Sequence, residues 1–344
     1  MAVSELSEDS KSKGIVWGFG VFISIVFVIL IILGAWWGRE PNTFNVEEVA
    51  YERAKETDVK DLPIGFIYTN TLAHIAEVLM HKPGGYLTND VAPPGLFLDN
   101  IPSWEYGALV MLRDATTALR NHFARNQSQS TEDPDLSKAE PYFYYERNSW
   151  ALPSTESEYQ KGIEALHDYM NHLSKPDANG KKAQFYPRAD NLWQYVEVVI
   201  KRLGGLSSRL TASTKRGVGK HQGIIAPETV NKRADDDAFQ IQIASSWLEI
   251  DNIFYEARGA AWALLEILQA VKHDFSAILL DKRAMNTVEI MIHELQNAVA
   301  PILSPMVLNG DGFGLFANYS LTMANSIARA NAAALDLRDV MNRG

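Results

Sequence analysis

Apolar positions recur along this chain in two different registers. From Gly14 to Gly38 they run on without interruption, GIVWGFGVFISIVFVILIILGAWWG, and no charged residue enters the run. A helix crosses a bilayer with about 20 mostly apolar residues, and Trp17 to Trp36 covers about 29 Å at the helical rise. The stretch therefore predicts a membrane-spanning helix with tryptophans at both interfaces. Past Arg39 the apolar positions fall three and four apart instead, the spacing of one buried helix face. Tyr68, Leu72, Ile75 and Leu79 form one such stripe, and Leu109, Leu112, Thr116, Leu119 and Phe123 a second. Leu192, Val196, Val199, Leu203, Leu206 and Leu210 continue the pattern despite Gly204 and Gly205, which predict a bend or a close helix crossing there. The longest seam runs Ile243, Trp247, Ile250, Phe254, Ala257, Ala261, Leu264, Leu268 and Val271. Two more follow, Met285 to Val299 and Phe316 to Met341. No period-two pattern competes with these.

The expected fold is all-α: an N-terminal single transmembrane helix followed by an antiparallel multi-helix bundle in two halves. Residues 1–13 form a short cytoplasmic tail, 14–38 the span and 39–213 the first helical half. Residues 214–236, basic and glycine-containing, read as a linker or hinge, and 237–344 as a C-terminal half of long helices. Within the first half, Asn45 to about Thr57 predicts a short polar helix, and Ser154 caps a helix that ends before Pro176. One stretch breaks the periodicity. Residues 81–104, HKPGGYLTNDVAPPGLFLDNIPSW, hold four prolines and three glycines, too many for a regular element. A loop longer than about 12–15 residues inside a compact domain is usually functional. Its aromatic members Tyr86, Phe97 and Trp104 are the candidate partner-binding residues.

Charge and composition refine the picture. Glu5, Glu8 and Asp9 precede the apolar run and no small-residue cleavage site follows it, so it reads as a retained anchor and not a signal peptide. Lys11 and Lys13 lie directly before it, whereas Arg39 is followed by Glu40, Glu47 and Glu48. Arg53 and Lys55 blunt that bias, which places the N-terminus in the cytoplasm and the body outside. The net charge of −10 argues against nucleic-acid binding, which neutralises phosphates with many basic residues. With no cysteine, disulfides and thiol catalysis are excluded. Gly14 with Gly18, and Gly34 with Gly38, make small-xxx-small pairs through which two anchors could pair as a homodimer.

Candidate chemistry is sparse. Asp90, Asp99 and Glu105, in or beside the irregular loop, are the carboxylates that a glycoside hydrolase acting on cell-wall glycan would need; the plainer reading makes them turn and helix-start residues. His74, Glu77 and His81 share a helix face and could meet a metal, though not at the zincin spacing. Thr214–His221, TKRGVGKH, lacks the glycine and hydroxyl of a phosphate loop and reads as a basic patch. Asn309–Gly314, NGDGFG, lacks the ligands of a calcium loop. Asp235, Asp236 and Asp237 read as a solvated helix start. The aromatic run Tyr142, Phe143, Tyr144 and Tyr145 could line a cavity for a small ligand or lipid. No cofactor is expected.

The run GGYLTNDVAPPGLFLDNIPSWEYG, Gly84 to Gly107, resembles the signature segment of a family of bacterial inner-membrane proteins catalogued as domain of unknown function 2333. The order of parts matches too: acidic tail, single anchor, Gly-Gly-Tyr and Ala92-Pro93-Pro94-Gly95 loop, then helices to the end. The resemblance implies an inner-membrane anchor with the body in the periplasm, and implies no activity. The expected function is a noncatalytic envelope adaptor that binds another envelope protein through residues 84–104. The alternatives are the glycan hydrolase and the ligand-binding bundle.

Overall fold

The computed structural model describes residues 2–125, 132–176, 180–214, 249–302, 307–310 and 317–343. Among these are eleven α-helices and no strand. Helix α1 (Ala2–Trp37) holds the apolar run, and its segment Trp17–Trp37 is long and apolar enough to cross a membrane. The body follows as α2 (Val46–Glu56), α3 (Phe66–His81), α4 (Asn100–Ala118), α5 (Leu136–Phe143), α6 (Thr155–Ser174) and α7 (Ala189–Thr214). It is completed by α8 (Ile250–Asp274), α9 (Ser276–Asp281), α10 (Met285–Ala298) and α11 (Tyr319–Asn342).

The seams become the core. Every position of the α3, α4 and α7 stripes is buried, as are the α8 positions from Phe254 onward and the α11 positions from Ser320. Local signals set the helix starts: Asn45 accepts the backbone N–H groups of Glu47 and Glu48 at the head of α2, and Ser154 accepts that of Ser157 at the head of α6. Ile243, Trp247, Phe316, the Asp235–Asp237 triplet and nearly all of the 214–236 linker lie outside the described residues. What is described on either side of that linker shares one core, because α4 packs on α8 and α7 on α11.

The closest crossing is between α4 and α8. A methyl group added at Gly107 would come within 1.9 Å of the Glu256 carbonyl oxygen, and one at Gly259 within 1.9 Å of that of Trp104. Only glycine lets the two backbones approach this far. At Gly204 and Gly205, where the sequence predicts such a crossing, there is room: a methyl group added at the first would lie 3.7 Å from Asn331 Nδ2, and one added at the second would meet nothing within 4 Å outside its own helix. The irregular stretch is also shorter than expected, since α4 begins at Asn100. Pro102 sits in its first turn, where a missing N–H costs no hydrogen bond.

Candidate functional site

Beyond Trp37 the chain does not swing free. Residues 38–45 run as a strap over the side of α8, and three α8 side chains, each a turn further on, hold it. Arg258 donates to the Glu40 carboxylate from Nε at 2.7 Å and from Nη2 at 2.6 Å. Trp262 Nε1 donates to the Asn42 carbonyl at 3.1 Å, and Glu266 accepts the Phe44 N–H at 3.1 Å. Arg258 also reaches the carbonyls of Ala298 and Ala300 at the end of α10, at 3.2 and 3.0 Å. All three α8 side chains are buried. A buried guanidinium needs its donors filled, and the strap and the end of α10 fill them together. Burial pushes the Glu266 carboxyl up to about 8, with the Phe44 N–H acting in the other direction.

Two cavities border the strap. The larger, about 1160 Å³, is lined by Glu40, Phe44, Trp104, Arg258, Trp262 and Gln269 among others. The second, about 920 Å³, borders the end of α1 and is lined by Trp36, Arg39, Arg53, His74, Glu77, His81 and His167. Glu77 is the hub of its wall. Arg53 Nη2 lies at 2.7 Å, His167 Nε2 at 3.3 Å and His74 Nδ1 at 3.4 Å from its carboxylate. Burial works to raise the Glu77 carboxyl, but the His167 and His74 rings and the Arg53 charge set around it outweigh that and hold the group well below the ordinary carboxylate range.

The residues singled out from sequence are placed differently. His81 turns its Nδ1 to the Glu77 main-chain carbonyl, at 2.9 Å, and so does not join His74 at the carboxylate. His167, from α6, takes that place. No group of ligating residues that could hold a metal exists among the described residues. Spacing along α3 could reveal His74 and Glu77, but nothing local ties them to α6.

The three carboxylates do not face one another across an open cleft. Glu105 is fully buried and accepts from the N–H groups of Leu87 and Thr88, both at 2.9 Å, and from Lys82 Nζ at 2.6 Å. It fastens the irregular loop from inside. Burial raises its carboxyl, with Lys82 opposing. Asp90 folds against Gly95, where an added methyl group would meet its Oδ2 at 1.9 Å, and burial followed by the Glu156 charge raises its carboxyl. Asp99 is exposed beside the start of α4.

Tyr86 and Trp104 are also corrected. Both are buried, Tyr86 against the Tyr159 ring and Trp104 against the Trp262 ring, so neither can meet a partner. The buried Glu105 network draws their backbone inward, which a glycine- and proline-rich composition does not reveal. Phe97 is 75% exposed, with Leu96 and Val91 beside it. The run Tyr142–Tyr145 is divided between core and surface: Phe143 is buried, Tyr144 is exposed under the Arg113 guanidinium, and Tyr142 lies under Lys161. Of the glycine pairs, Gly34 is occupied by the chain's own Pro94 and Leu98, whereas Gly18 has nothing within 4 Å. The surroundings of Gly14 lie outside the described residues.

Fold and junction together define a class: an all-helical body whose N-terminal apolar helix is locked to it through a strap. Over residues 10–344 the chain matches the family described as uncharacterized protein conserved in bacteria (DUF2333), and it belongs to that family. No curated protein and no solved structure matches it.

Proposed function

We propose that the protein is a noncatalytic scaffold of the bacterial envelope, anchored in the inner membrane by α1, with the N-terminus in the cytoplasm and the helical body in the periplasm. The observation that carries this reading is the strap. A flexible tether would leave the body free to tumble, whereas Glu40, Asn42 and Phe44 are each fixed to α8 within a few residues of the span. Such a body holds one stance relative to the bilayer and can present another surface to an envelope protein. Lys11 and Lys13 before the span support the orientation. Against a hydrolase stands Glu105, whose carboxylate is closed off by four donors. Since Tyr86 and Trp104 are buried, the contact surface is assigned to exposed apolar positions of the body such as Tyr51, Ile290 and Leu335.

The experiment is photo-crosslinking in living cells from Tyr51, Ile290 and Leu335, paired with protease treatment of spheroplasts to fix the side on which the body lies. One recurrent envelope protein, with the body digested from outside, supports the scaffold. Absence of any protein adduct, or a protected body, overturns it. A second reading rests on the cavity of about 920 Å³ beside Trp36, whose size suits a ligand. Arg39 and His81 line it, while the Arg53 guanidinium there is already engaged by Glu77.

A further inference from the structure

Between Trp17 and Trp37 every side chain of α1 is exposed except at Leu30, Leu33, Gly34 and Trp37, which are half-buried. At 3.6 residues per turn these four share one face. The irregular loop covers it. A methyl group added at Gly34 would lie 3.6 Å from Pro94 Cβ and 3.9 Å from Leu98 Cδ2, and one added at Gly84 would meet the Trp37 ring at 2.7 Å. Pro94 and Leu98 bracket a single 3-10 turn, Gly95–Phe97. Gly34 stands three residues inside Trp37, about 4.5 Å along the helix axis. The turn therefore sits alongside the apolar run and not beyond it.

At that level the turn points its apolar side chains outward. Leu96 is 56% and Phe97 75% exposed. Its backbone is also fitted to a place with little water. Leu96 N–H donates to the Ala92 carbonyl at 3.1 Å, Phe97 N–H to Pro94 at 3.0 Å and Leu98 N–H to Gly95 at 2.9 Å, while Pro93 and Pro94 carry no N–H. Non-helical backbone is tolerated in a bilayer only when its polar groups are satisfied within the protein. Of the two carboxylates of the loop, Asp90 packs directly against Gly95 of the turn, where burial, followed by the Glu156 charge, raises its carboxyl towards the neutral form, and Asp99 precedes α4.

We infer that the Gly95–Phe97 turn is a second membrane contact, sunk into the outer edge of the bilayer beside α1 with Leu96 and Phe97 facing lipid. This rests on the reading of α1 as a membrane span. Lipid is the occupant because the exposed turn lies against α1 alongside the apolar run, and its Leu96 and Phe97 N–H groups are already bonded within the loop.

The chain has no cysteine, so single nitroxide labels can be placed without background. The full-length protein is reconstituted in phosphatidylethanolamine–phosphatidylglycerol vesicles with a label at Leu96→Cys or Phe97→Cys. Reference labels are placed at Ile29→Cys in the span and at Leu280→Cys, exposed on α9. Relaxation by molecular oxygen is compared with relaxation by a water-soluble nickel chelate. Labels at 96 and 97 are expected to favour oxygen several-fold, as at 29, while 280 favours nickel. Labels at 96 and 97 that follow 280 while 29 remains lipid-like overturn the second contact alone. Labels shielded from both reagents mean that protein covers the turn, which also overturns it. If 29 itself reads as aqueous, the membrane reading of α1 falls, and the inference with it.

Discussion

Arg258 grips Glu40 with two of its guanidinium nitrogens, at 2.7 and 2.6 Å, and so fixes the third residue beyond α1 to a turn of α8. The same guanidinium caps the carbonyls at the end of α10. One side chain thus joins the chain leaving the apolar helix α1, a central core helix and the close of a third helix.

Replacing Arg258 with Met leaves Glu40 without its partner and is expected to cost about 3–5 kcal/mol, the usual loss when one half of a buried pair is removed. Hydrogen exchange supplies the specific readout. The Phe44 amide should lose protection well before α6 does, and Glu40→Gln on top of Arg258→Met should add little. Unchanged exchange at Phe44 would show that the strap holds without the pair.

Glu266 carries a pH signature. Its carboxyl is raised from 4.5 to about 8 in the folded protein, so the fold binds the proton more tightly than the unfolded chain does. The resulting stabilisation is complete below the unfolded value and is lost as pH rises through about 8. Relative to Glu266→Gln, which keeps an acceptor for Phe44, the native protein should lose a few kcal/mol over that range, a tenfold change in proton affinity being worth about 1.4 kcal/mol. Thermal melts of both proteins across the interval check this; parallel curves would contradict it.

Gly107→Ala and Gly259→Ala each drive a methyl group into a facing backbone, with 1.9 Å available. Each should cost about 3 kcal/mol or more. Gly205→Ala, on a helix with nothing within 4 Å, should be neutral or stabilising by up to about 1 kcal/mol. Chemical denaturation separates the two classes, and equal effects at all three would refute the crossing.

At Glu77 the sign reverses. The folded carboxyl lies below its ordinary value of 4.5, so its stabilisation is present above that pH and fades on acidification. Glu77→Gln should cost about 1–3 kcal/mol at neutral pH, with the gap to the native protein narrowing below pH 4.5. A gap that stays constant into acid would mean that the His74, His167 and Arg53 contacts contribute nothing through charge.

The helices were legible because burial leaves a periodic record: Leu192 through Leu210 announce a seam without knowledge of what they face. The junction was not. Glu40 and Arg258 lie 218 residues apart, and each looks like an ordinary surface charge in its own neighbourhood. Likewise Glu105 reads as an exposed helix-start acid, yet it closes the irregular loop by binding Lys82, Leu87 and Thr88, which buries Tyr86. Composition identified that loop as unusual. It could not say which of its aromatics face inward, because that depends on a carboxylate outside the loop and on α6 and α8 packed behind it.

The boundary between the apolar helix and the helical body therefore does not fall where hydropathy ends. A truncation that begins at α2, residue 46, would look tidy on a hydropathy plot but would strip the carboxylate from Arg258, the carbonyl from Trp262 and the N–H from Glu266 in one cut. The fragment that should remain soluble and well behaved begins at Arg39 and carries the strap with it.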